Sequence, residues 1–256
     1  MKTISFFNLK GGCGKTTSLI NLGWLLAQRE AKTGGRVLLI DADMQSNLTN
    51  SILDYDTKRH SIYDVMTGRR AAQEVILPVR ANVDLIPSSL MMAAIEPKLD
   101  SARNKAWILE EALIPLQDRY SYCLIDCSPS FSTMTINAIL ASELIFIPVQ
   151  TEYYAVDGVH LLEETLSYIN QQYGLNKQID CIFASIHDKR NNINKLQYES
   201  LTENFPDKFM KTAVRKNVAL VESPVFRESI FEYKPSSTGA EDYRNLFKEI
   251  EEKGEF

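Results

Sequence analysis

The feature that most constrains the fold is a glycine-rich loop between an apolar segment and an amphipathic one. The loop reads NLKGGCGKTT at residues 8–17, and it follows the short apolar segment TISFFN. It leads into KTTSLINLGWLLAQRE, in which leucine and isoleucine recur at the three-to-four-residue spacing of a helix. A strand, a loop with three glycines and a helix, in this order, form a phosphate-binding loop in α/β proteins.

The rest of the chain repeats this alternation of short apolar and longer amphipathic segments. Further strands are predicted at VLLIDAD, NVDLIP, YCLIDCS, ELIFIPV and DCIFASI. Helices are predicted at about residues 103–117, 133–141, 157–173, 194–204 and 238–252. The alternation predicts an α/β, single-domain P-loop NTPase fold with a mainly parallel, twisted sheet and helices on both faces. No linker-like stretch is present, so residues 1–256 are assigned to one domain, in which 44–82 is the least regular segment.

Composition narrows the classes of function. The formal net charge is −5, so any contact with nucleic acid must come from a local basic patch. The four cysteines lack the spacing of a zinc site, which favours a reduced, cytoplasmic protein. No apolar run approaches the length of a membrane span, and the acidic segment NLFKEIEEKGEF is unlike a basic, membrane-binding helix.

The loop carries the residue types that bind a phosphorylated nucleotide. Backbone N–H groups around its glycines can point inward because glycine tolerates the required dihedral angles. Lys15 is expected to reach the β- and γ-phosphates, and the Thr16 hydroxyl to bind Mg²⁺. The strict G-x-x-x-x-G-K-[ST] pattern is not met, because Leu9 occupies its first glycine position. The alternative is a glycine-rich turn that binds nothing.

Three aspartates stand at the ends of apolar strands. Asp41 and Asp43 end VLLIDAD, and Asp126 ends the apolar part of YCLIDCS. Ligands of open α/β sheets bind beyond the carboxyl ends of the strands, where aspartates can hold Mg²⁺ and its waters. Each aspartate could instead cap the helix that follows it.

Several segments together resemble one family. KGGCGKTT resembles the deviant Walker A motif of the ParA/MinD ATPases, whose hallmark is an extra lysine early in the loop, here Lys10. DADMQSNLT, DCSPSFSTMTINAI and IPVQTEYYAVDG resemble later family segments, as do AVRKNVALVESPVF and SSTGAEDYRNL. The resemblance covers nearly the whole chain and is specific to the ParA/Soj branch, in its small type without an N-terminal helix-turn-helix domain.

The resemblance implies a set of nucleotide contacts. Residues that fall on the nucleotide loop are Gly11, Gly12, Cys13, Gly14, Lys15, Thr16 and Thr17. Asn217 falls on a position that resembles the adenine contact, with Arg215 in place of the usual proline two residues before it. Met44 also replaces a usual proline, so the loop after Asp43 is expected to be less rigid.

The resemblance also implies catalytic roles. Lys15 is expected to stabilise the phosphates, and Asp43 to position or activate the attacking water. Thr16, Asp41 and Asp126 fall on the Mg²⁺ side of the site. Lys10 is expected to act across a homodimer that forms on ATP binding, on the nucleotide held by the other subunit.

Possible DNA contacts come from the basic stretch 189–216 and from later lysines and arginines. Candidate contacts are Arg190, Lys234, Arg244 and Lys248. The alternative is an ordinary solvated surface. Arg227 and Glu228 stand where glycine and lysine are common in the family, so a DNA contact through a lysine at position 228 is not expected.

These inferences predict a Mg²⁺-dependent ATPase that segregates or positions plasmid or chromosomal DNA. It would bind DNA non-specifically when ATP is bound, be stimulated by a ParB-like or other cargo-adaptor partner, and associate with the nucleoid. One alternative is the same ATPase cycle with a protein cargo. Another is a metabolic ATP-dependent ligase or kinase on the same fold.

Overall fold

The computed structural model describes residues 1–102 and 104–256. Its strands are β1 (Lys2–Phe6), β2 (Val37–Asp41), β3 (Leu77–Arg80), β4 (Val83–Ile86), β5 (Tyr122–Asp126), β6 (Leu144–Gln150) and β7 (Cys181–Ser185). They form one sheet in the order β3-β4-β2-β5-β1-β6-β7. All pairs are parallel except β3 with β4, which is antiparallel. The predicted α/β fold with a mainly parallel sheet is confirmed.

Helices connect the strands. They are α1 (Lys15–Glu30), α2 (Asn47–Asn50), α3 (Ile62–Met66), α4 (Ala72–Val75), α5 (Ile95–Asp100), α6 (Ile108–Leu113), α7 (Thr133–Ala141), α8 (Ala155–Tyr173), α9 (Asn192–Asn204), α10 (Val218–Glu222), α11 (Ile230–Tyr233) and α12 (Thr238–Glu252). The helix expected at 103–117 begins on Arg103, which lies outside the described residues, and α6 occupies its middle. Within 1–102 and 104–256, no helix is long and apolar enough to cross a membrane.

The segment 44–82 contains elements that the pattern did not predict. It holds three short helices and β3, whose sequence is LPVR. Pro78 has no N–H to donate to a ladder, which suits a strand at the edge of a sheet. The irregular sequence pattern of β3 reflects its edge position, because an edge strand pairs with a neighbour on one side only.

Helices cover both faces of the sheet. Successive residues of β2 alternate between two apolar clusters: Leu38 and Ile40 join α7 and α8 on one face, and Val37 and Leu39 join α1 and α12 on the other. A strand buried on both faces is continuously apolar, which is why VLLID shows no polar alternation.

The register brings the carboxyl ends of three central strands together. Phe6 of β1 lies opposite Asp126 of β5, and Asp126 lies opposite Asp41 of β2. The loop after β1 and the aspartates that end β2 and β5 therefore meet at one edge of the sheet.

Candidate nucleotide-binding site

The glycine-rich loop is held in a conformation that its glycines permit. Gly12 and Gly14 have φ angles of 72° and 83°, in the left-handed region that disfavours residues with a Cβ atom. The Ser185 hydroxyl, at the end of β7, donates a hydrogen bond of 2.6 Å to the Cys13 carbonyl. The loop is thus fixed between β1, α1 and β7, with α1 starting directly at Lys15.

Lys15 points inward beneath the loop. Its side chain is buried, and its Nζ atom donates to the carbonyl oxygens of Asn8 and Lys10, both at 3.1 Å. An ammonium group has three N–H donors, and the remaining neighbour is the Cys13 sulfur at 3.9 Å, a weak acceptor. A phosphate oxygen is a far better partner for that third donor.

Two adjoining cavities meet at this loop. The first has a volume of about 490 Å³ and is lined by Gly11, Gly12, Gly14, Lys15, Thr16, Thr17, Ile20, Asp43, Gln45, Asn47, Ser51, Pro129, Ile186 and Pro224. The second, of about 330 Å³, shares Gly14, Thr17, Ile186 and Pro224 with it and continues to Val214, Asn217, Leu220 and Val221. A polar end beside a lysine and an apolar end beside α10 match the two halves of a nucleotide.

Asp43 faces the first cavity, whereas Asp41 lies beneath it. The Asp43 carboxylate accepts a hydrogen bond from the Gln45 N–H at 3.0 Å. Asp41 is fully buried and accepts three hydrogen bonds, two from Thr49 and one from the Asp43 N–H. Burial raises the pKa of Asp41 to about 7, although the Thr49 donors favour its charged form.

Asp126 carries an oxygen atom without a partner. Its Oδ2 atom accepts a hydrogen bond of 2.7 Å from the Thr16 hydroxyl, while its buried Oδ1 atom has no partner among the described residues. Burial, and then the charge of Asp41, raise the pKa of Asp126. A buried acceptor of this kind calls for a proton or a cation.

The residues present fit a magnesium ion that binds together with a nucleotide. Hydroxyl and carboxylate oxygens are the ligands that Mg²⁺ prefers, and Thr16 and Asp126 supply both kinds within one contact. No group of three or more His, Cys, Asp or Glu side chains within 1–102 and 104–256 is arranged to hold a metal ion alone. The metal would therefore need phosphate and water oxygens as well, as Mg²⁺ usually does.

The other loop lysine, Lys10, points away from this cavity. Its Nζ atom forms an ion pair of 2.5 Å with the Glu152 carboxylate, and both side chains are about half exposed. The pair borders a different cavity, of about 390 Å³, together with Tyr153 and Tyr154. The two lysines of the loop therefore have separate surroundings, and the trans role of Lys10 stays a prediction.

Arg215 and Asn217, the two residues expected to contact the nucleotide base, already form hydrogen bonds within the protein. The Arg215 guanidinium binds Asp242 and Glu241, and these hydrogen bonds raise its pKa. The Asn217 side chain caps α10 by accepting the Ala219 N–H at 2.9 Å. Both residues line the second cavity, so a contact with a base is compatible with their positions and remains a prediction.

The candidate DNA contacts differ from one another in their partners. Arg190 forms two side-chain hydrogen bonds with Asp188, and Lys248 pairs with Glu252 at 3.6 Å. Arg244 donates to the Pro235 carbonyl and lies over the Phe231 ring. Lys234, at the end of α11, forms no ion pair with any residue in the described ranges.

Several residues of the site were missed by sequence reasoning. Asn8 accepts the Lys10 N–H and anchors the loop to the Pro148 carbonyl; Glu152 holds Lys10; Ser88 and Thr49 support the Asp41–Asp43 segment. The quoted segments NLKGG, DADMQSNLT and IPVQTEYYAVDG contain Asn8, Thr49 and Glu152, but the motif alone assigns them no partner. Ser88 follows the NVDLI strand with no sequence signal.

Comparison with known proteins agrees with this geometry. A family model described as an AAA domain matches residues 1–181. The sporulation initiation inhibitor protein Soj of Bacillus subtilis is 35% identical over 255 residues, which cover 99% of each chain. The chromosome partitioning protein ParA of Caulobacter vibrioides NA1000 is 31% identical over 257 residues, covering 98% of this chain and 94% of that one.

Solved structures share the fold along almost the full length. A Borrelia burgdorferi B31 protein assigned to plasmid partition, bound to AMPPNP, is 26% identical, with a TM-score of 0.84 and coverage of 98% and 99% of the two chains. A cobyrinic acid a,c-diamide synthase from Mycobacterium smegmatis with bound ADP and magnesium has a TM-score of 0.80 at 23% identity, covering 97% and 93%, which shows the fold alone.

The P-loop geometry and these full-length similarities lead to one assignment. Lys15 lies beneath a glycine loop, Asp43 faces the cavity, and one of the full-length relatives is a chromosome partitioning protein. The chain belongs to the ParA/Soj family of partition ATPases.

Proposed function

We propose that this chain is an ATP-dependent, dimerising ATPase that positions DNA cargo by binding DNA non-specifically while ATP is bound. The observation that carries the proposal is that the two lysines of the loop point in different directions. Lys15 is buried toward the phosphate end of the cavity, and Lys10 is half exposed and turned outward. A lysine turned outward from a phosphate loop can serve a second subunit.

Hydrolysis requires water to attack the γ-phosphorus as the bond to the β-phosphate oxygen breaks. Asp43 faces the cavity and is the carboxylate best situated to orient that water or take its proton. Lys15 and the loop N–H groups stabilise charge on the phosphates. Mg²⁺, held on the protein side by Thr16 and Asp126, would neutralise further charge on the β- and γ-phosphates.

Dimerisation would complete the site. Lys10 must leave Glu152 before it can reach the partner's nucleotide, and an exposed ion pair costs about 0–1 kcal/mol to break. The pair therefore opposes this movement only weakly. A dimer would also double the surface available to DNA phosphates, so DNA binding would depend on ATP without new contacts inside one subunit.

The same cycle with a protein cargo is the second candidate. It is favoured by the engagement of Arg190 with Asp188 and of Lys248 with Glu252, because paired charges attract DNA phosphates less. The two functions share the ATPase site and differ in what the dimer holds.

One set of assays separates the candidates. ATP turnover and DNA binding are measured on the wild-type protein and on Asp43→Ala, with and without plasmid DNA and with a candidate adaptor protein. We expect Asp43→Ala to retain ATP and collect as a dimer that binds any DNA sequence, with affinity falling steeply as salt rises. An ATP-bound dimer that ignores DNA at every salt concentration favours the protein cargo, and steady turnover without dimerisation favours a metabolic enzyme.

A further inference from the structure

Asp43 is held by hydrogen bonds on both of its peptide groups. Its N–H donates to the Asp41 carboxylate at 3.2 Å, and its carbonyl oxygen accepts a bond of 2.7 Å from the Ser88 hydroxyl. The donor Ser88 is nearly fully buried and follows β4, 45 residues along the chain. Asp43 is thus fixed by a neighbouring strand as well as by its own.

A second set of hydrogen bonds links Asp41 and Ser88, the two residues that hold the Asp43 backbone. The Ser88 N–H donates to the Thr49 hydroxyl at 2.8 Å, and that hydroxyl donates to the Asp41 carboxylate at 2.6 Å. The hydroxyl can act as donor and acceptor at once, so the two bonds are compatible. Ser88, Thr49 and Asp41 therefore form a closed chain of hydrogen bonds around the Asp43 backbone, and we call these three residues the Asp43 clamp.

The other hydrogen bonds to Asp43 come from within the loop itself: the Ser46 N–H donates to the Asp43 carbonyl and the Gln45 N–H to the Asp43 carboxylate, both at 3.0 Å. Met44, the next residue, is 45% exposed, and Ser46 adopts the left-handed conformation with φ of 55°, which is unfavourable for serine. No proline lies between Asp43 and α2 to limit the backbone. A loop of this kind can shift by an ångström unless something fixes it, and a shift of that size costs about 100-fold in rate at a catalytic group.

Ser88 cannot act on the nucleotide directly. It lines a separate cavity of about 290 Å³ with Ser46, Thr49 and Leu90, and it is absent from the linings of both nucleotide cavities. Its hydroxyl is committed to the Asp43 carbonyl. Any effect of the Ser88 hydroxyl on hydrolysis must therefore pass through the Asp43 carbonyl.

We propose that Ser88 is a positioning residue for ATP hydrolysis, which holds the Asp43 carboxylate at the γ-phosphate end of the cavity. The inference rests on the proposed role of Asp43. It adds a residue to the site that belongs to neither the glycine loop nor the aspartate segments.

The experiment compares two adjacent serines in the full-length protein. Ser88→Ala removes the hydroxyl that binds the Asp43 carbonyl. Ser89→Ala is the matched control, because its hydroxyl binds the Ser61 hydroxyl at 2.9 Å instead. Ser88→Thr and the pair Thr49→Ser and Thr49→Val test whether a hydroxyl at each position is sufficient. Single-turnover hydrolysis, ATP affinity by calorimetry and the thermal midpoint are measured for each variant.

We expect Ser88→Ala to lower the hydrolysis rate constant by about 10- to 100-fold while ATP affinity changes less than about twofold. Ser89→Ala should keep the wild-type rate constant. Thr49→Ser should hydrolyse faster than Thr49→Val, which supports the clamp even if Ser88→Thr does not fold. Adding Ser88→Ala to Asp43→Ala should cause no further loss, since both act through one group.

Other outcomes overturn the inference. A wild-type rate constant in Ser88→Ala does so, and so does a parallel loss of ATP affinity and thermal stability, which indicates a general structural role. If Asp43→Ala itself hydrolyses ATP normally, the proposed role of Asp43 fails. If Asp43→Ala is inactive and Ser88→Ala is normal, the role of Asp43 stands and only the positioning role of Ser88 fails.

Discussion

The nucleotide edge of the sheet and the basic surface after residue 189 use charge in opposite ways. At the nucleotide edge, Asp41 and Asp126 are buried close together and burial raises the pKa of each. On the basic surface, Asp188 is partly exposed beside Arg190, whose hydrogen bonds lower the pKa of Asp188 to about 2. The buried carboxylates destabilise the folded protein until a ligand neutralises them, whereas Asp188 and Arg190 already neutralise each other.

The difference teaches which charged residues are poised to bind a ligand. Asp126 keeps a buried oxygen atom with no protein partner within the described residues, so a bound cation improves its surroundings. Arg190 already has a bidentate carboxylate, so a DNA phosphate would have to replace it. Four predictions, taken from the largest expected effect to the smallest, test how each of these charged residues is used.

Lys15→Ala should abolish ATP binding. The phosphate end of the cavity would lose its buried cation, and among the residues that the structure describes no other lysine or arginine lines that cavity. Calorimetry with ATP and Mg²⁺ measures the loss. Wild-type affinity in this variant would contradict the assignment of the loop.

Lys10→Ala should keep ATP binding and lose stimulated hydrolysis by about 10³-fold or less, because a lysine is a weaker trans group than an arginine finger. Mixing it with Lys15→Ala tests the trans role. A heterodimer can hold ATP in the Lys10-variant subunit and receive Lys10 from the other. Mixed samples should recover part of the activity, whereas normal hydrolysis by Lys10→Ala alone at every protein concentration excludes a trans role.

Asp126→Asn should stabilise the protein in the absence of magnesium while it lowers hydrolysis. The folded chain binds the Asp126 proton more tightly than the unfolded chain, so the wild-type free energy of unfolding falls as pH rises above about 4. The variant should show a smaller fall and a thermal midpoint higher by about 2–4 °C per kcal/mol gained.

The matched control for this variant is Asp188→Asn. The pKa of Asp188 is shifted in the opposite direction, downward. The contribution of Asp188 to stability is therefore present above about pH 4 and is lost as pH falls toward 2. Thermal melts in a chelator from pH 4 to 8 should show no stabilisation by this variant. Equal midpoints for Asp126→Asn and the wild type at pH 8 would remove the contrast.

Charge reversal on the basic surface should have the smallest effects. Lys234→Glu should weaken ATP-dependent DNA binding several-fold, equally on all sequences, and reduce the salt slope by about 1. Asp188→Ala should strengthen binding because it frees Arg190. Titrations of labelled DNA at two or more salt concentrations measure both effects. Weaker binding by Asp188→Ala would show that Arg190 needs its partner for orientation.

Sequence patterns predicted the parts of the fold in which nearby residues determine the secondary structure. The glycine loop, the strands ending at Asp41 and Asp126, and helices α7 and α12 lie where expected, since burial on both faces forces apolar runs. β3 was missed because an edge strand with a proline lacks that constraint.

The rest depended on contacts between distant residues. Lys10 and Glu152 are 142 residues apart, and Ser88 reaches Asp43 only because β4 lies beside β2. Likewise, the count of lysines and arginines in 189–216 gave no sign that Arg190 would pair with Asp188 or Arg215 with Asp242. Strand order and side-chain direction decide such pairs, and neither can be read from local periodicity.

The place of β1 in the sheet has a consequence for how the chain folds during synthesis. β1 is the first of the described strands, yet its neighbours are β5 and β6, so Ile4 pairs with Leu124 and Leu144. These parallel pairings close long loops, which slows folding. The strand that carries the phosphate loop must therefore wait, apolar and unpaired, until about half of the chain has been made. A chaperone that shields TISFF on the ribosome would protect the nascent chain during the interval in which it is most prone to aggregate.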